Sequence, residues 1–126
     1  MKLTEAQIEL MRGKNFAAVA TLGEDGTPQT SIVWVDTDGE HVLFNTKGGR
    51  AKGKNLRRDP RISITVFDAQ DPYRYFEVEG TAELETDGAV DHMNELARKY
   101  TGKDWDDGGD RVVVKVAPQR IFNYQV

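Results

Sequence analysis

Two periodicities divide the chain. The clearest runs from Tyr75 to Thr86, where Phe76, Val78, Gly80, Ala82 and Leu84 share one face and Glu77, Glu79, Thr81, Glu83 and Glu85 the other. A period of two with one apolar face predicts a half-buried β-strand. Phe16 to Leu22 is apolar on both faces. Thr30 to Val35, TSIVWV, sets Ile32 and Trp34 on one face and Val33 and Val35 on the other. Strands apolar on both faces are expected to be covered on both. His41 to Thr46, Arg61 to Asp68, Arg111 to Ala117 and Ile121 to Val126 read as further strands, the last two separated by Pro118. Gly23 to Gly26 and Asp38-Gly39 are turn signals. The first three strands are therefore expected to form an antiparallel meander of two hairpins.

Helical spacing appears in three places. Leu3 to Arg12 carries a capping box, Thr4 with Gln7, and a hydrophobic staple, Leu3 with Ile8; Gly13 stops it. This helix is expected to cap a sheet edge or barrel end. A second helix starts near Arg50 and ends before Pro60. With Ala51 and Leu56 as its apolar residues, it should be short and exposed. The third runs from a cap at Asp87 to Tyr100, with Val90, Met93, Leu96, Ala97 and Tyr100 as its apolar stripe, and Gly102 ends it. Lys103 to Asp110 is an acidic loop whose Trp105 should pack back on the fold. Six or seven evenly spaced strands with three short helices predict one β-rich α+β domain over residues 1–126, a barrel in preference to a sandwich.

Composition narrows the chemistry. The chain has no cysteine, which excludes disulfides and thiolate chemistry and fits a reducing cytoplasm. No run is long and apolar enough for a membrane span, and no signal peptide is evident. His41 and His92 are the only histidines and have no flanking ligand pattern, so no metal site is expected. There is no G-x-S-x-G elbow, and the Glu77, Glu79, Glu83, Glu85 row reads as the wet face of a strand. The acidic loop lacks the spacing of an EF-hand.

Charge supplies the positive evidence. Thr46 to Arg61, TKGGRAKGKNLRRDPR, holds Lys47, Arg50, Lys52, Lys54, Arg57, Arg58 and Arg61 against Asp59 alone. Seven cations and one anion make +6, whereas the whole chain is −4, so the rest carries −10. A basic island in an acidic protein points to a small anion rather than a long polyanion, which the remainder would repel. The stretch also lacks the aromatic residues that nucleic-acid barrels use for stacking. Gly48 and Gly49 would let the backbone approach a ligand. With no side-chain catalyst evident, the reactive group is expected to come from an anionic cofactor.

The order FAAVATLGEDGTPQTSIVWV, HVLFNTKGGRAKGKNLRRDPRISITVF, PYRYFEVEGTAEL and VVVKVAPQRIF resembles the pyridoxamine 5′-phosphate oxidase-like superfamily, in particular its deazaflavin-dependent reductases that use coenzyme F420. The likeness spans Phe16 to Phe122. It implies a split β-barrel and a homodimer with cofactor sites at the interface. The implied reaction is hydride transfer between reduced deazaflavin and a small organic acceptor. Carried over by motif, Arg50 and Lys52, with Ala51 between them, hold the phosphate and anionic tail. Ser31, Ile32, Val33 and Trp34, with Asn45, Thr46 and Lys47, line the ring. Asn55 belongs to the motif as ligand or loop support, and Tyr75 approaches the partner's site. The resemblance assigns no catalytic side chain. The chain lacks the C-terminal arginine segment that the oxidases use near their substrate, which argues against pyridoxamine phosphate oxidation. Flavin mononucleotide (FMN) in the same fold, or a non-enzymatic polyanion-binding barrel, are the alternatives.

Overall fold

The computed structural model describes residues 1–105 and 109–126. Asp106 and Asp107 of the acidic loop lie outside the described residues. Strands β1 (Phe16–Leu22), β2 (Pro28–Trp34), β3 (Asp36–Thr37), β4 (Val42–Lys47), β5 (Arg61–Phe67), β6 (Tyr75–Glu85) and β7 (Arg111–Tyr124) form one antiparallel sheet in the order β2-β1-β5-β6-β7-β4-β3. The sheet curls around a core that includes Val19, Val33, Val35, Phe44, Ile64, Phe76, Val78 and Val114. This is a split β-barrel. Helix α1 (Glu5–Arg12) adds Leu10 and Met11 to that core, and its Thr4/Gln7 capping box is formed.

The expected meander is not. Hairpin β1–β2 is in place, and Asp38-Gly39 turns a hairpin between β3 and β4. But β2 does not pair with β4, whose long partner is β7. The cause lies at Val35. The Tyr100 hydroxyl accepts from Val35 N at 3.1 Å and Lys99 Nζ donates to Val35 O at 2.7 Å. Side chains of α3 (Ala89–Thr101) thus satisfy this backbone in place of a strand neighbour, and the chain turns away from β2. The barrel stays open at a seam between β2 and β4.

Other expectations change for local reasons. Pro118 does not interrupt the last strand. β7 runs through it, with Gly80 opposite Pro118 and Glu79 opposite Arg120, so Gln119 is the extra residue of a bulge. A side chain at Gly80 would stand 2.6 Å from Ala117 O, so glycine is required there. Asp87 does not cap α3; its N-cap is Gly88, in the left-handed region at φ +73°. Val90 leaves the predicted stripe and is 49% exposed, whereas Met93, Leu96 and Ala97 are buried. Helix α2 (Ala51–Arg58) is seated more firmly than expected, burying Gly53, Asn55 and Leu56. The face of β2 bearing Ile32 is not covered within the chain, since Ile32 is 60% exposed.

Candidate functional site

The open seam creates a cleft. On its β2 side lie Ile32, Val33 and Trp34; on its β4 side, Asn45 and Thr46; Met93 and Leu96 of α3 close one end. Arg50, Lys52 and Arg111 complete the lining of this hollow of about 240 Å³. Because β2 pairs only with β1, and β4 beyond Leu43 only with β7, strand edges face the cleft with backbone donors and acceptors. A second hollow of about 430 Å³ continues past α2, lined by Thr21, Gln29, Thr30, Ser31, Arg50, Ala51 and Lys52. Arg50 and Lys52 line both.

These two cations carry the electrostatics. Neither has a carboxylate partner among the described residues. Lys52 is half-buried and donates to Ser31 Oγ at 2.9 Å. Burial, and then the neighbouring Arg50 charge, lower its pKa below the ordinary lysine value. The rest of the basic stretch is partly committed. Arg61 pairs with Asp59 at 2.6 Å, Arg57 donates to Gly48 O, and Arg58 donates to Leu22 O and Asn55 Oδ1. A third hollow, of about 370 Å³, lies under Ala20, Leu22, Pro28, Ser63 and Gly80. Its only cation is the already paired Arg61, so it has no comparable unbalanced charge.

The glycines work differently from the expectation. Gly48 N–H donates to Asp110 O at 3.0 Å and Gly49 N–H to Asp110 Oδ2 at 3.3 Å, so the protein itself takes both donors. Gly53 is the steric requirement. A side chain there would stand 2.7 Å from Gly48 O and 2.9 Å from Lys47 O, and its absence lets α2 press against the β4–α2 turn.

The predicted residues Ser31, Ile32, Val33, Trp34, Asn45, Thr46, Arg50, Ala51 and Lys52 thus converge on the two hollows. Lys47 ends β4 beside them, opposite Arg111. Trp34 is both wall and packing: its ring stacks on Tyr100 at 5.1 Å, and the half-exposed Trp105 meets it edge-on at 6.3 Å. Asn55 is 4% exposed beneath the site, not in it. Its Nδ2 donates to Thr21 Oγ1 at 3.0 Å and Gln29 Oε1 at 2.8 Å, not to its own helix. Thr21 and Gln29 belong to the FAAVATLGEDGTPQTSIVWV segment and Asn55 to the basic stretch, so one hydrogen-bonded unit joins the two segments. Tyr75 is not brought to the hollows. It stacks on Tyr124 at 5.3 Å, three strands from Trp34 in the same cross-strand row, about 14 Å away. Arg111, Met93 and Leu96 were not anticipated. Met93 and Leu96 read as core stripe, and no pattern marks Arg111.

A family model for pyridoxamine 5′-phosphate oxidase matches residues 3–125. The chain belongs to that family. The family is oxidoreductase-like, and its fold binds flavin-type cofactors. A solved structure described as an F420 reductase is 31% identical, with 95% of this chain and 98% of that one covered and a TM-score of 0.83. A conserved hypothetical protein of Mycobacterium tuberculosis is 27% identical over 97% of this chain and 84% of its own, with a TM-score of 0.77. HupZ of Group A Streptococcus, at 23% identity, 98% and 94% coverage and a TM-score of 0.75, shares the fold. Among the described residues no helix is long and apolar enough to cross a membrane, and no cluster of three or more His, Cys, Asp or Glu could hold a metal ion.

Proposed function

We propose that this protein is a coenzyme F420-dependent oxidoreductase that passes hydride between the reduced deazaflavin and a small organic acceptor. The observation that carries this reading is the pair Arg50 and Lys52. Two cations with no carboxylate partner among the described residues, one of them half-buried, line a cleft at a sheet seam. Charge held this way favours an anionic ligand, because an incoming phosphate repays a desolvation that the folded chain already bears. The F420 reductase likeness supports the choice of ring.

When bound, such a ring supplies the hydride; the chain positions it. The strand edges of β2 and β4 would hydrogen-bond its polar rim, as seam backbone does in place of a missing strand. Trp34, held flat by Tyr100, with Met93 and Leu96, gives an apolar wall that excludes water. Arg50 and Lys52 would take the phosphate, and Lys54, one turn beyond Arg50 on α2, the carboxylates of the tail. No carboxylate or imidazole lines either hollow among the described residues, an arrangement compatible with hydride transfer, which needs no side-chain nucleophile.

Two copies of the chain would complete the site. Ile32, Ala18, Thr65, Glu77 and Phe122 form one row across the outer sheet face, and Ile32 and Phe122, 60% and 59% exposed, end it. In a homodimer packed through this face, Tyr75 would reach the partner's cleft.

FMN is a second reading with its own support. Of seven cations in the basic stretch only Arg50 and Lys52 line the hollows, which matches one terminal phosphate. Fluorescence titrations with F420 and with FMN, at low and high salt, separate the two. Tighter F420 binding that weakens with salt is expected. Tighter FMN binding, or F420 affinity indifferent to salt, overturns the deazaflavin assignment, and binding of neither overturns the cofactor reading.

A further inference from the structure

We propose that Asp110 acts as an internal ligand of the β4–α2 turn that competes with incoming anions and so sets the turn's anion affinity. The proposal rests on the anion-site half of the functional reading and is independent of which ring is bound. Asp110 is the residue before β7 and adopts φ +57°, a left-handed conformation uncommon outside glycine. That conformation lays both its carbonyl and its carboxylate across the turn. The carbonyl takes Gly48 N–H, and Oδ2 takes Gly49 N–H. Oδ1 stands 3.3 Å from where a side chain on Gly48 would begin, and Arg57 Nη2 stands 3.0 Å from the same point. The glycines therefore make room for a carboxylate that the chain supplies.

The position matters because Gly49 directly precedes Arg50 and Asp110 directly precedes Arg111, and both arginines line the cleft. An anion drawn to Arg50 meets Asp110 across one residue of backbone. It must either sit beside that negative charge or take over the Gly49 donor. At 3.3 Å the Gly49 bond lies beyond the usual N–H···O range, so its exchange for a short charge-assisted bond is favourable. The repulsion from Asp110 grows with the charge of the entering anion, so an anion that enters gains when that charge is displaced or removed. A pyrophosphate or polycarboxylate spreads its contacts over Arg50 and Lys52 while displacing Asp110.

Asp110→Asn keeps an oxygen for Gly49 N–H and removes the charge. Calorimetric titration with inorganic pyrophosphate, and separately with monovalent acetate, is expected to show tighter binding in the variant. For pyrophosphate the gain should be about two- to fivefold, the worth of one exposed charge at close range. The advantage should vanish near 1 M salt, where the screening length is about 3 Å. Equal or weaker pyrophosphate binding by a variant that melts like the parent would overturn the proposal and leave Asp110 as a brace of the turn. A second measurement uses the parent alone: its Gly49 amide resonance should shift on pyrophosphate addition, and an unmoved resonance at saturation would likewise overturn it. A parent that binds no pyrophosphate at all removes the anion site itself, and this inference with it.

Discussion

Lys52→Met tests the site where its energetics are most exposed. The substitution keeps the side-chain stem and removes the ammonium. For binding, it deletes one charge-assisted contact, about 1.5–3 kcal/mol, so cofactor affinity should fall about ten- to a hundredfold. For stability, two effects oppose each other. The bond from Lys52 Nζ to Ser31 Oγ is lost, worth about 0.5–1.5 kcal/mol. Against this, the variant is spared the cost of holding a half-buried ammonium beside Arg50, the cause of the lowered pKa. The sign follows from linkage. A lysine whose folded pKa is depressed is held protonated at a cost at neutral pH. That cost is relieved as pH rises from the depressed value towards the unfolded value near about 10.4. The variant should therefore melt within about 4 °C of the parent at neutral pH. Its stability should also lose the upward drift at alkaline pH. Binding carries a matching signature: an anion raises the Lys52 pKa, so parent affinity should decline at a pH lower than an ordinary lysine would impose. Fluorescence titration across pH, with calorimetric melting, reads all of this. Undiminished affinity would remove Lys52 from the site, and weak binding accompanied by a large drop in melting temperature would make its role structural.

Gly53→Ala should lower stability by about 1–3 kcal/mol in urea, despite alanine's better helix propensity, because the added carbon meets the backbone of Gly48 and Lys47; a neutral or stabilised variant would refute that close seating. Light scattering should find a dimer, with an interface of about 1,600 Å² or more, and Phe122→Asp should dissociate it; a monomeric parent at micromolar concentration would refute the dimer. His92 has its pKa lowered chiefly by burial, with Asp36 and Glu95 opposing. Its contribution to stability is full above its ordinary value of about 6.5 and lost as pH falls through the depressed one. His92→Leu should flatten that acid-side loss, measured as urea midpoints between about pH 5 and 7.5, and an unchanged slope would assign it to other groups.

Much of the fold was legible because burial imposes local rules. The alternation in β6, the Thr4/Gln7 capping box and the Asp38-Gly39 turn each need only neighbouring residues to operate, and each appears where expected. Pairing between strands was less legible. Nothing local to TSIVWV announces that Tyr100 and Lys99, 65 and 64 residues after Val35, will take its backbone and turn it away from β4. Pro118 misled for a related reason: a proline ends a strand unless a bulge absorbs it, and the glycine that permits the bulge lies on the opposite strand at Gly80. For the site, the motifs located the residues but not their depth. Asn55 has the same motif status as Lys52, yet one is buried as a brace and the other lines the cleft.

Charge counting shows the limit most sharply. Seven cations in one stretch raise the expectation of an anion site, but the number available to a ligand depends on which the fold has already engaged. Arg61 is held by Asp59; Arg57 and Arg58 donate to backbone carbonyls. What remains at the hollows is a pair, Arg50 and Lys52, placed where an unzipped sheet edge meets the start of a helix. The same gap between β2 and β4 therefore does two things. It leaves the backbone edges of β2 and β4 unpaired with each other, and it opens the hollow that shares Arg50 and Lys52 with the one beside α2. A closed barrel with the predicted meander would have paired those edges with each other. The departure from the expected strand pairing and the presence of the cleft thus have a common origin in the bonds that Tyr100 and Lys99 of α3 make to Val35.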